Sequence, residues 1–293
     1  MIFGIRGNIY KDELSAITHK LIKDLNRKKI DYRVEKELAK LIAQKFDYRL
    51  KPKERLSNKE LINSSDFIIS IGGDGTFLAT AKYVGNKNIP IIGVNMGKLG
   101  FLAEVSTNSI SGFISDIIKN KYIIEEKTVL EACSESIPDK ILYGINEIVV
   151  NQSGLVKTIG IKSFYDDQLI NETLADGVIV STPTGSTGYS LSAGGPIVYP
   201  KTKVLILSPL SPHTLTARPV ILPDNGIIKI EVNSRLPVII TADGNTNLKL
   251  KSPASIEIKK SSFSIKTVKA MKSNYFKILN KKLLWGEDRR KNK

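Results

Sequence analysis

The order of the predicted helices and strands changes near residue 120, and this change constrains the fold more than any other feature of the chain. After it, strand signals follow one another from residue 122 to about residue 269. Before it, apolar strand-like runs alternate with helical apolar spacing: the predicted strands are 2–5, 66–71 and 90–94, and the predicted helices are 12–28, 34–46, 76–83 and 110–119, with a capping box at 57–60. Alternation of this kind predicts right-handed crossovers and a mainly parallel sheet with helices on both faces.

We therefore predict two domains, for which 293 residues are sufficient. Residues 1–120 should form an α/β N-terminal domain with a Rossmann-like parallel sheet. Residues 121–269 should form an antiparallel β-rich domain of the β-sandwich kind, with strands at 128–133, 141–150, 158–165, 177–181, 203–207, 226–232, 237–242 and 255–260. Residues 275–285 turn helical again, and the C-terminal segment 270–293 is expected to pack back on the first domain.

Composition excludes several classes of protein. The net charge of +15 comes from lysines spread along the whole chain, and only 289–293 is a basic cluster, so no nucleic-acid partner is expected. A single cysteine, Cys133, excludes an intrachain disulfide and a framework of zinc-binding cysteine pairs. No apolar run approaches the roughly 18 residues of a membrane helix, and the N-terminus lacks a signal peptide pattern. These features predict a cytoplasmic protein that makes no contact with membranes.

The turn Gly72-Gly-Asp-Gly-Thr76 follows a buried-type strand and precedes a predicted helix. This arrangement places backbone N–H groups on an anion, yet the spacing fits neither a dinucleotide fingerprint nor a P-loop. Two interpretations stay open for Asp74, which lies in the middle of the turn. It either caps the following helix, or it is the base that accepts the proton of an attacking hydroxyl while the turn holds donor phosphates neutralised by Mg²⁺. The second interpretation predicts a kinase with a hydroxyl acceptor.

A second polar block contains seven serines and threonines between Ser181 and Ser192, interleaved with glycines. Its composition is too polar for a core and favours a binding surface, in which Tyr189 offers a face for stacking. The alternative is a serine- and threonine-rich loop that satisfies its own backbone. Adjacent Asn146 and Glu147 interrupt an apolar strand, which indicates either a ligand at that point or simple exposure to solvent.

Taken together, these motifs resemble the NAD kinase family. The GGDGT turn by itself is shared with diacylglycerol-type lipid kinases, whereas the long hydroxyl-rich block is what singles out NAD kinases. The matching stretches are GGDGTFL at 72–78, NMGKLGFLAE at 95–104, NE at 146–147, ADGVIVSTPTGSTGYSLSAGGPIV at 175–198, SPLSPHTLTARPVIL at 208–222 and TADGN at 241–245.

The resemblance implies Mg²⁺-dependent transfer of the ATP γ-phosphate to the 2′-hydroxyl on the adenosine ribose of NAD, giving NADP. In this family Asp74 would be the base, and Mg²⁺ would be held mainly by the ATP phosphates, without a metal site made by protein. A homodimer or homotetramer is also implied. The implied binding residues are Gly73, Gly75 and Thr76 for phosphate; Phe101 beside the adenine; Asn146, Glu147, Lys157 and Asp176 for the ribose and nicotinamide region; and Thr184, Thr187, Gly188, Tyr189, Ser190, Leu191, Ser192 and Asn245 for the base pockets.

The chain departs from the family pattern at three positions. Gly188 stands where alanine is commonest, Asn245 where glutamine is usual, and Ser208 where threonine often precedes proline. Two other functions stay open on the sequence: a lipid or sugar kinase that shares the glycine turn, and a dinucleotide-binding regulator that has lost catalysis.

Overall fold

The computed structural model describes residues 1–154 and 158–284. The chain divides into two compact units. The first contains Met1–Glu126 together with the described residues from Ile265 onward, and the second contains the described residues of Lys127–Ser264.

The described residues form eighteen strands and seven α-helices. The strands are β1 Ile2–Gly7, β2 Asp31–Glu35, β3 Arg55–Leu56, β4 Phe67–Gly72, β5 Ile91–Asn95, β6 Val105–Ser106, β7 Tyr122–Cys133, β8 Leu142–Gly144, β9 Glu147–Gln152, β10 Ile159–Tyr165, β11 Gln168–Ala175, β12 Gly177–Ser181, β13 Val204–Leu210, β14 Val220–Pro223, β15 Ile228–Asn233, β16 Val238–Ala242, β17 Thr246–Leu250 and β18 Ala254–Ala270. The helices are α1 Leu14–Arg27, α2 Lys36–Phe46, α3 Asn58–Asn63, α4 Asp74–Val84, α5 Ile110–Ile118, α6 Tyr189–Ser192 and α7 Tyr275–Leu283.

The first unit is built on a parallel sheet in the order β5-β4-β1-β2-β3, with β6 also parallel to β5. The central strands β1, β4 and β5 are almost entirely buried, as their continuous apolar runs predict for strands covered on both faces. Their side chains pack against the apolar stripes of α1, α2 and α5. Because β4 has a neighbour on each side, the turn at its carboxyl end is held at the middle of the sheet edge.

The second unit contains two antiparallel sheets. One has the order β14-β13-β12-β9-β16-β17, and the other joins β11, β10, β15 and the first part of β18. Buried residues from both sheets form one hydrophobic cluster, so the sheets pack face to face as a sandwich. The predicted fold class, an α/β domain plus an antiparallel β-rich domain, is confirmed.

Three local predictions were wrong. The helix predicted from residue 34 starts at Lys36, because 31–35 is the parallel strand β2 and its Val34 merely matches the helical spacing that follows. The strand predicted over 141–150 is broken into β8 and β9. Strands β11, β14 and β17 were not predicted, since their polar and exposed residues dilute the apolar signal. None of the described helices combines the length and the apolar character needed to cross a membrane.

Candidate active site

The glycine turn lies where β4 passes into α4. Gly73 is the N-terminal cap residue of α4 and offers no side chain to the helix, and α4 begins at Asp74 itself. A Cβ atom added to Gly73 or Gly75 would meet open space, with no protein atom within 4 Å. Packing within the protein therefore does not require glycine at these two positions. Their bare backbone instead leaves room for a ligand to approach the N-terminus of α4.

The carboxylate of Asp74 points away from its own helix. Its Oδ2 accepts a hydrogen bond from the backbone N–H of Phe101 (3.0 Å), and its Oδ1 accepts from Leu102 (2.9 Å) and Ala103 (3.0 Å). The interpretation of Asp74 as a helix cap is thus wrong, because Gly73 holds the cap position and the Asp74 carboxylate accepts from residues 101–103 instead. The side chain keeps 27% of its surface exposed, so the carboxylate is fixed in position and is still accessible to solvent beside the turn.

Gly100 makes this arrangement possible. A Cβ atom at Gly100 would collide with Oδ1 of Asp74, so only glycine allows the carboxylate to lie against the loop. The loop itself is fixed by the buried amide of Asn95, which donates to the carbonyl oxygens of Ala103 (3.3 Å) and Val105 (3.1 Å). The NMGKLGFLAE stretch therefore serves as the cradle of the Asp74 carboxylate.

A cavity of about 540 Å³ opens beside the turn. Three glycines, two lysines and two acidic residues form most of its wall. Its lining residues are Lys11, Asp12, Glu13, Gly72, Gly73, Thr76, Met96, Gly97 and Lys98. Lysine ammonium groups and the N-terminus of α4 favour an anionic ligand such as a polyphosphate. Phe101 is half-buried, and its ring centroid lies 6.3 Å from that of Tyr275 on α7.

In the second unit, Asp243 organises the Asn146–Glu147 segment. Its carboxylate accepts from the backbone N–H groups of Ile145 (2.8 Å), Asn146 (2.8 Å) and Glu147 (3.1 Å). These three donors lie at the break between β8 and β9, where no strand partner satisfies them. Asp243 was not among the predicted site residues, although an Asp-Gly pair directly after a buried strand was the available signal.

Glu147 is a buried carboxyl group with an unsatisfied oxygen. Only 8% of the residue is exposed, and its Oε2 has no hydrogen-bond partner. Burial raises the pKa of Glu147 from 4.5 to about 7, and the negative charge of Asp243 adds to the rise, while the backbone N–H of Tyr189 lowers it. Burial raises the pKa of Asp243 as well, while its three backbone N–H donors lower it, so Asp243 is the member of the pair whose negative charge the backbone supports. This buried oxygen therefore has hydrogen-bonding capacity that no protein group uses.

The hydroxyl-rich block wraps the same segment. Thr182 Oγ1 donates to the carbonyl oxygen of Ile145 (2.6 Å), its backbone N–H donates to Asn146 (2.9 Å), and a Cβ atom on Gly185 would collide with the Asn146 backbone. A Cβ atom on Gly188 would lie 2.9 Å from Glu147 Oε2. The predicted block and the predicted Asn-Glu pair are therefore direct neighbours.

One premise about this block was wrong. Its hydroxyls are not too polar for a core, because five of the seven residues are buried: Ser181, Thr182, Thr184, Ser186 and Ser190. The hydroxyls of Thr182 and Ser186 bond to backbone groups and that of Ser190 bonds to Ser208, whereas Ser181 Oγ is buried without a partner. The accessible part runs over 187–192, where Tyr189 is 47% exposed and Thr187, Gly188 and Leu191 are half-buried. The block is thus a buried scaffold with a short exposed rim.

The other predicted residues take separate positions. Asp176, between β11 and β12, is half-buried, and its backbone N–H donates to Leu210. Asn245 is exposed, and its amide donates to the carbonyl oxygen of Asp243 (3.0 Å). Lys157 lies outside the described residues.

Family models and individual known proteins both match this chain to the same family. Family models described as the ATP-NAD kinase N-terminal domain and the ATP-NAD kinase C-terminal domain match residues 3–122 and 145–270. The NAD kinase of Flavobacterium psychrophilum is 36% identical over 293 residues, which is 99% of this chain and 100% of that protein. A NAD kinase of Bacteroides fragilis is 35% identical over 291 residues, again covering 99% and 100%. This chain belongs to the NAD kinase family.

Solved structures of NAD kinases share the fold. Yeast NADH kinase complexed with NADH matches with a TM-score of 0.88 and 25% identity, over 98% of this chain and 89% of that chain. An NAD kinase from Archaeoglobus fulgidus in complex with ATP matches with a TM-score of 0.75 and 24% identity, over 96% and 98%. The predicted family and enzyme class, a phosphotransferase, are confirmed.

As an NAD kinase family member, the chain also has residues whose supporting contacts were not predicted from its motifs. Gly100, Thr182, Gly185 and Asp243 hold the predicted residues in place but were not predicted to do so. A further one, Lys282 on α7, places its ammonium group 3.4 Å from Asp74 Oδ2. Each of these contacts joins segments that lie far apart in the sequence, so no local pattern of residue spacing predicts them.

Proposed function

We propose that this protein is an ATP-dependent NAD kinase that transfers the γ-phosphoryl group of ATP to the 2′-hydroxyl on the adenosine ribose of NAD, giving NADP and ADP. The observation that carries the proposal is the Asp74 carboxylate, which three backbone N–H groups hold beside an open glycine turn. Phosphoryl transfer needs a positioned base next to a phosphate-binding turn, and this geometry supplies both.

In the reaction, Asp74 accepts the proton of the 2′-hydroxyl as the ribose oxygen bonds to the γ-phosphorus. The bond from that phosphorus to the bridging oxygen breaks, and ADP leaves with the electron pair. Three N–H donors fix the carboxylate in one orientation, so little reorganisation is needed when the hydroxyl arrives. Gly73 and Thr76 line the cavity beside the N-terminus of α4, whose backbone N–H groups would bind the donor phosphates. Gly75 would leave room for them, because a Cβ atom added there meets no protein atom within 4 Å.

The fit of Mg²⁺ rests on the donor set around the turn. Within residues 1–154 and 158–284, no three histidine, cysteine, aspartate or glutamate side chains come together as a metal site. Mg²⁺ is commonly held by substrate phosphates with one or two carboxylates, and Asp12 and Glu13 line the cavity beside the turn. The ATP phosphates would therefore be its main ligands. When bound, the ion neutralises phosphate charge and so offsets repulsion from Asp74.

Recognition of NAD would involve the second unit. Asn146 and Glu147 would bind ribose hydroxyls, because the buried Oε2 of Glu147 lacks a partner. Tyr189 offers an exposed ring for stacking against a base, and Thr187 and Ser192 lie on the same accessible rim. Exposed Asn245 would contact a base as well. Phe101 would pack beside the adenine, and Asp176 would bind the carboxamide side.

We also propose that the enzyme is a cytoplasmic homo-oligomer. Edge strand β11 exposes Leu169 (56%) and Leu174 (55%), and edge strand β14 exposes Ile221 (51%). Exposed apolar side chains on sheet edges favour contact with a second chain. A single cysteine suits a reducing compartment.

The test of the base assignment is Asp74→Asn, which keeps the shape of the side chain and removes its basicity. Wild type should form NADP from NAD, ATP and Mg²⁺, and the variant should still bind NAD while its kcat falls by about 10²- to 10⁴-fold. Calorimetric titration with NAD checks the binding and a NADP-specific dehydrogenase reports the product. A variant that keeps the wild-type kcat would show that Asp74 is not the base.

A further inference from the structure

The side chain of Lys282 lies against the proposed base from a distant part of the chain. Lys282 is in the last turn of α7, a helix that begins after Asn274, whose side chain accepts from the N–H of Lys277 (3.1 Å). Ile278 and Leu279 on the same helix are buried and anchor it in the first unit. Lys282 Nζ lies 3.4 Å from Asp74 Oδ2 and 5.2 Å from the centroid of the Phe101 ring.

This ammonium group occupies the open face of the carboxylate. A carboxylate has about four lone-pair sites, two on each oxygen. On Asp74, Oδ1 accepts from two backbone N–H groups, and Oδ2 accepts from one, that of Phe101. The site that is left for a substrate hydroxyl is on Oδ2, and this is the oxygen that Lys282 contacts. An acceptor hydroxyl therefore has to displace the ammonium group when it binds to Asp74.

The displaced ammonium group has an anion within its reach. A hydroxyl bonded to Asp74 lies about 2.6–3.2 Å from the carboxylate. The attacked phosphorus lies about 3–3.5 Å from that hydroxyl oxygen in a reactive geometry, so it is within about 6 Å of Oδ2. Lys282 has a flexible four-carbon stem, and its Nζ already lies 3.4 Å from the same Oδ2. A small rotation of the stem brings its charge onto the γ-phosphoryl oxygens.

We propose that Lys282 is a catalytic residue of this kinase, which leaves Asp74 when the acceptor hydroxyl binds and then contacts the transferred phosphoryl group. The proposal rests on the proposed function, since it takes Asp74 as the base for phosphoryl transfer. Lys282 forms and breaks no covalent bond. Its positive charge stabilises the charge spread over the phosphoryl oxygens in the transition state, as cationic side chains do in other phosphoryl transfers.

The contact itself contributes little to folding. Both side chains are partly exposed, at 30% for Lys282 and 27% for Asp74, and exposed ion pairs are weak. Loss of the lysine should therefore change the rate and leave the fold intact. The adjacent Lys281 provides a matched control, because it is exposed on the same turn of α7 and its side chain leaves the helix about 100° away.

The experiment compares Lys282→Met, Lys282→Arg and Lys281→Met in the full-length protein, with kcat measured at saturating NAD, ATP and Mg²⁺ across pH. Lys282→Met should lower the plateau of kcat by about 10- to 100-fold, while Lys281→Met stays within about twofold of wild type. Lys282→Arg should recover most of the loss because it keeps the charge. The thermal unfolding midpoint should stay at the wild-type value in all three variants, and none of them should bind NAD more weakly than wild type.

Three results would overturn the proposal. The first is a Lys282→Met plateau within twofold of wild type, and the second is an equal loss in Lys281→Met. The third is a shift of only the acidic limb of the pH profile, which would mean that Lys282 acts on Asp74 and does not contact phosphoryl. An inactive wild type would instead refute the proposed function, and this proposal with it. Active wild type with inactive Asp74→Asn and fully active Lys282→Met refutes the role of Lys282 alone.

Discussion

Glu147→Gln tests the electrostatics of the second unit. The wild-type side chain is a buried carboxyl group with an unsatisfied Oε2 close to Asp243. Burial first, and the charge of Asp243 second, raise the pKa of Glu147 from 4.5 to about 7. Glutamine has nearly the same shape but does not titrate, so the variant removes the cost of ionising a buried acid and changes little else.

The size of the effect follows from linkage. Because the folded pKa of Glu147 is above the unfolded value, the folded state binds the proton more readily, and this stabilisation is full below pH 4.5 and is lost as pH rises through 7. A difference of about 2.5 pKa units corresponds to roughly 3 kcal/mol of unfolding free energy. Between about pH 5 and pH 8.5, the stability of Glu147→Gln relative to wild type should therefore rise by about 2–3 kcal/mol.

Urea unfolding followed by circular dichroism at the two pH values measures this change. Glu172→Gln is the control, since it removes a carboxyl group from the exposed surface of β11, where 63% of the side chain is accessible. A stability difference between Glu147→Gln and wild type that is the same at both pH values would refute the argument. It would mean that Glu147 ionises freely in the folded protein.

Three further substitutions test the geometry of the two clusters. Gly100→Ala should displace the Asp74 carboxylate and lower kcat by about 100-fold, because its Cβ atom collides with Oδ1. The control Gly112→Ala in α5 should leave kcat unchanged, because its Cβ atom meets open space. Equal kcat values for the two variants in steady-state assays would contradict this. Gly75→Ala should leave the melting temperature unchanged or higher but raise KM for ATP, and an unchanged KM would mean that no ligand approaches the turn there. Asp243→Asn should cost about 2 kcal/mol of unfolding free energy, since asparagine keeps one acceptor oxygen and the partly buried N–H group bonded to the other oxygen loses its acceptor. Chemical denaturation with no change in midpoint would refute that role.

Much of the fold was predictable because its signals are local. Buried parallel strands such as β4 appear as unbroken apolar runs, and the capping box from Ser57 to Glu60 is present at the start of α3 as its residues predict. Prediction failed where two patterns overlap. Strand β2 passes directly into α2, so Val34 satisfies both the strand alternation and the helical spacing.

The candidate site was predictable only in part for a related reason. The glycine turn, the Asn-Glu pair and the hydroxyl block are short motifs with chemistry of their own, so sequence alone identifies them. The residues that contact these motifs and hold them in place are distant in the sequence: Asp243 is 98 residues from Ile145, and Lys282 is 208 residues from Asp74. No spacing rule connects positions so far apart, and only the folded chain shows that they meet.

The most direct measurement is NADP formation by the purified wild-type protein from NAD, ATP and Mg²⁺, with ³¹P NMR used to locate the transferred phosphate. The account predicts turnover, with one new phosphate on the 2′-oxygen of the adenosine ribose and one ADP released per NADP. Binding of NAD without any NADP, or a phosphate on another hydroxyl, would contradict it.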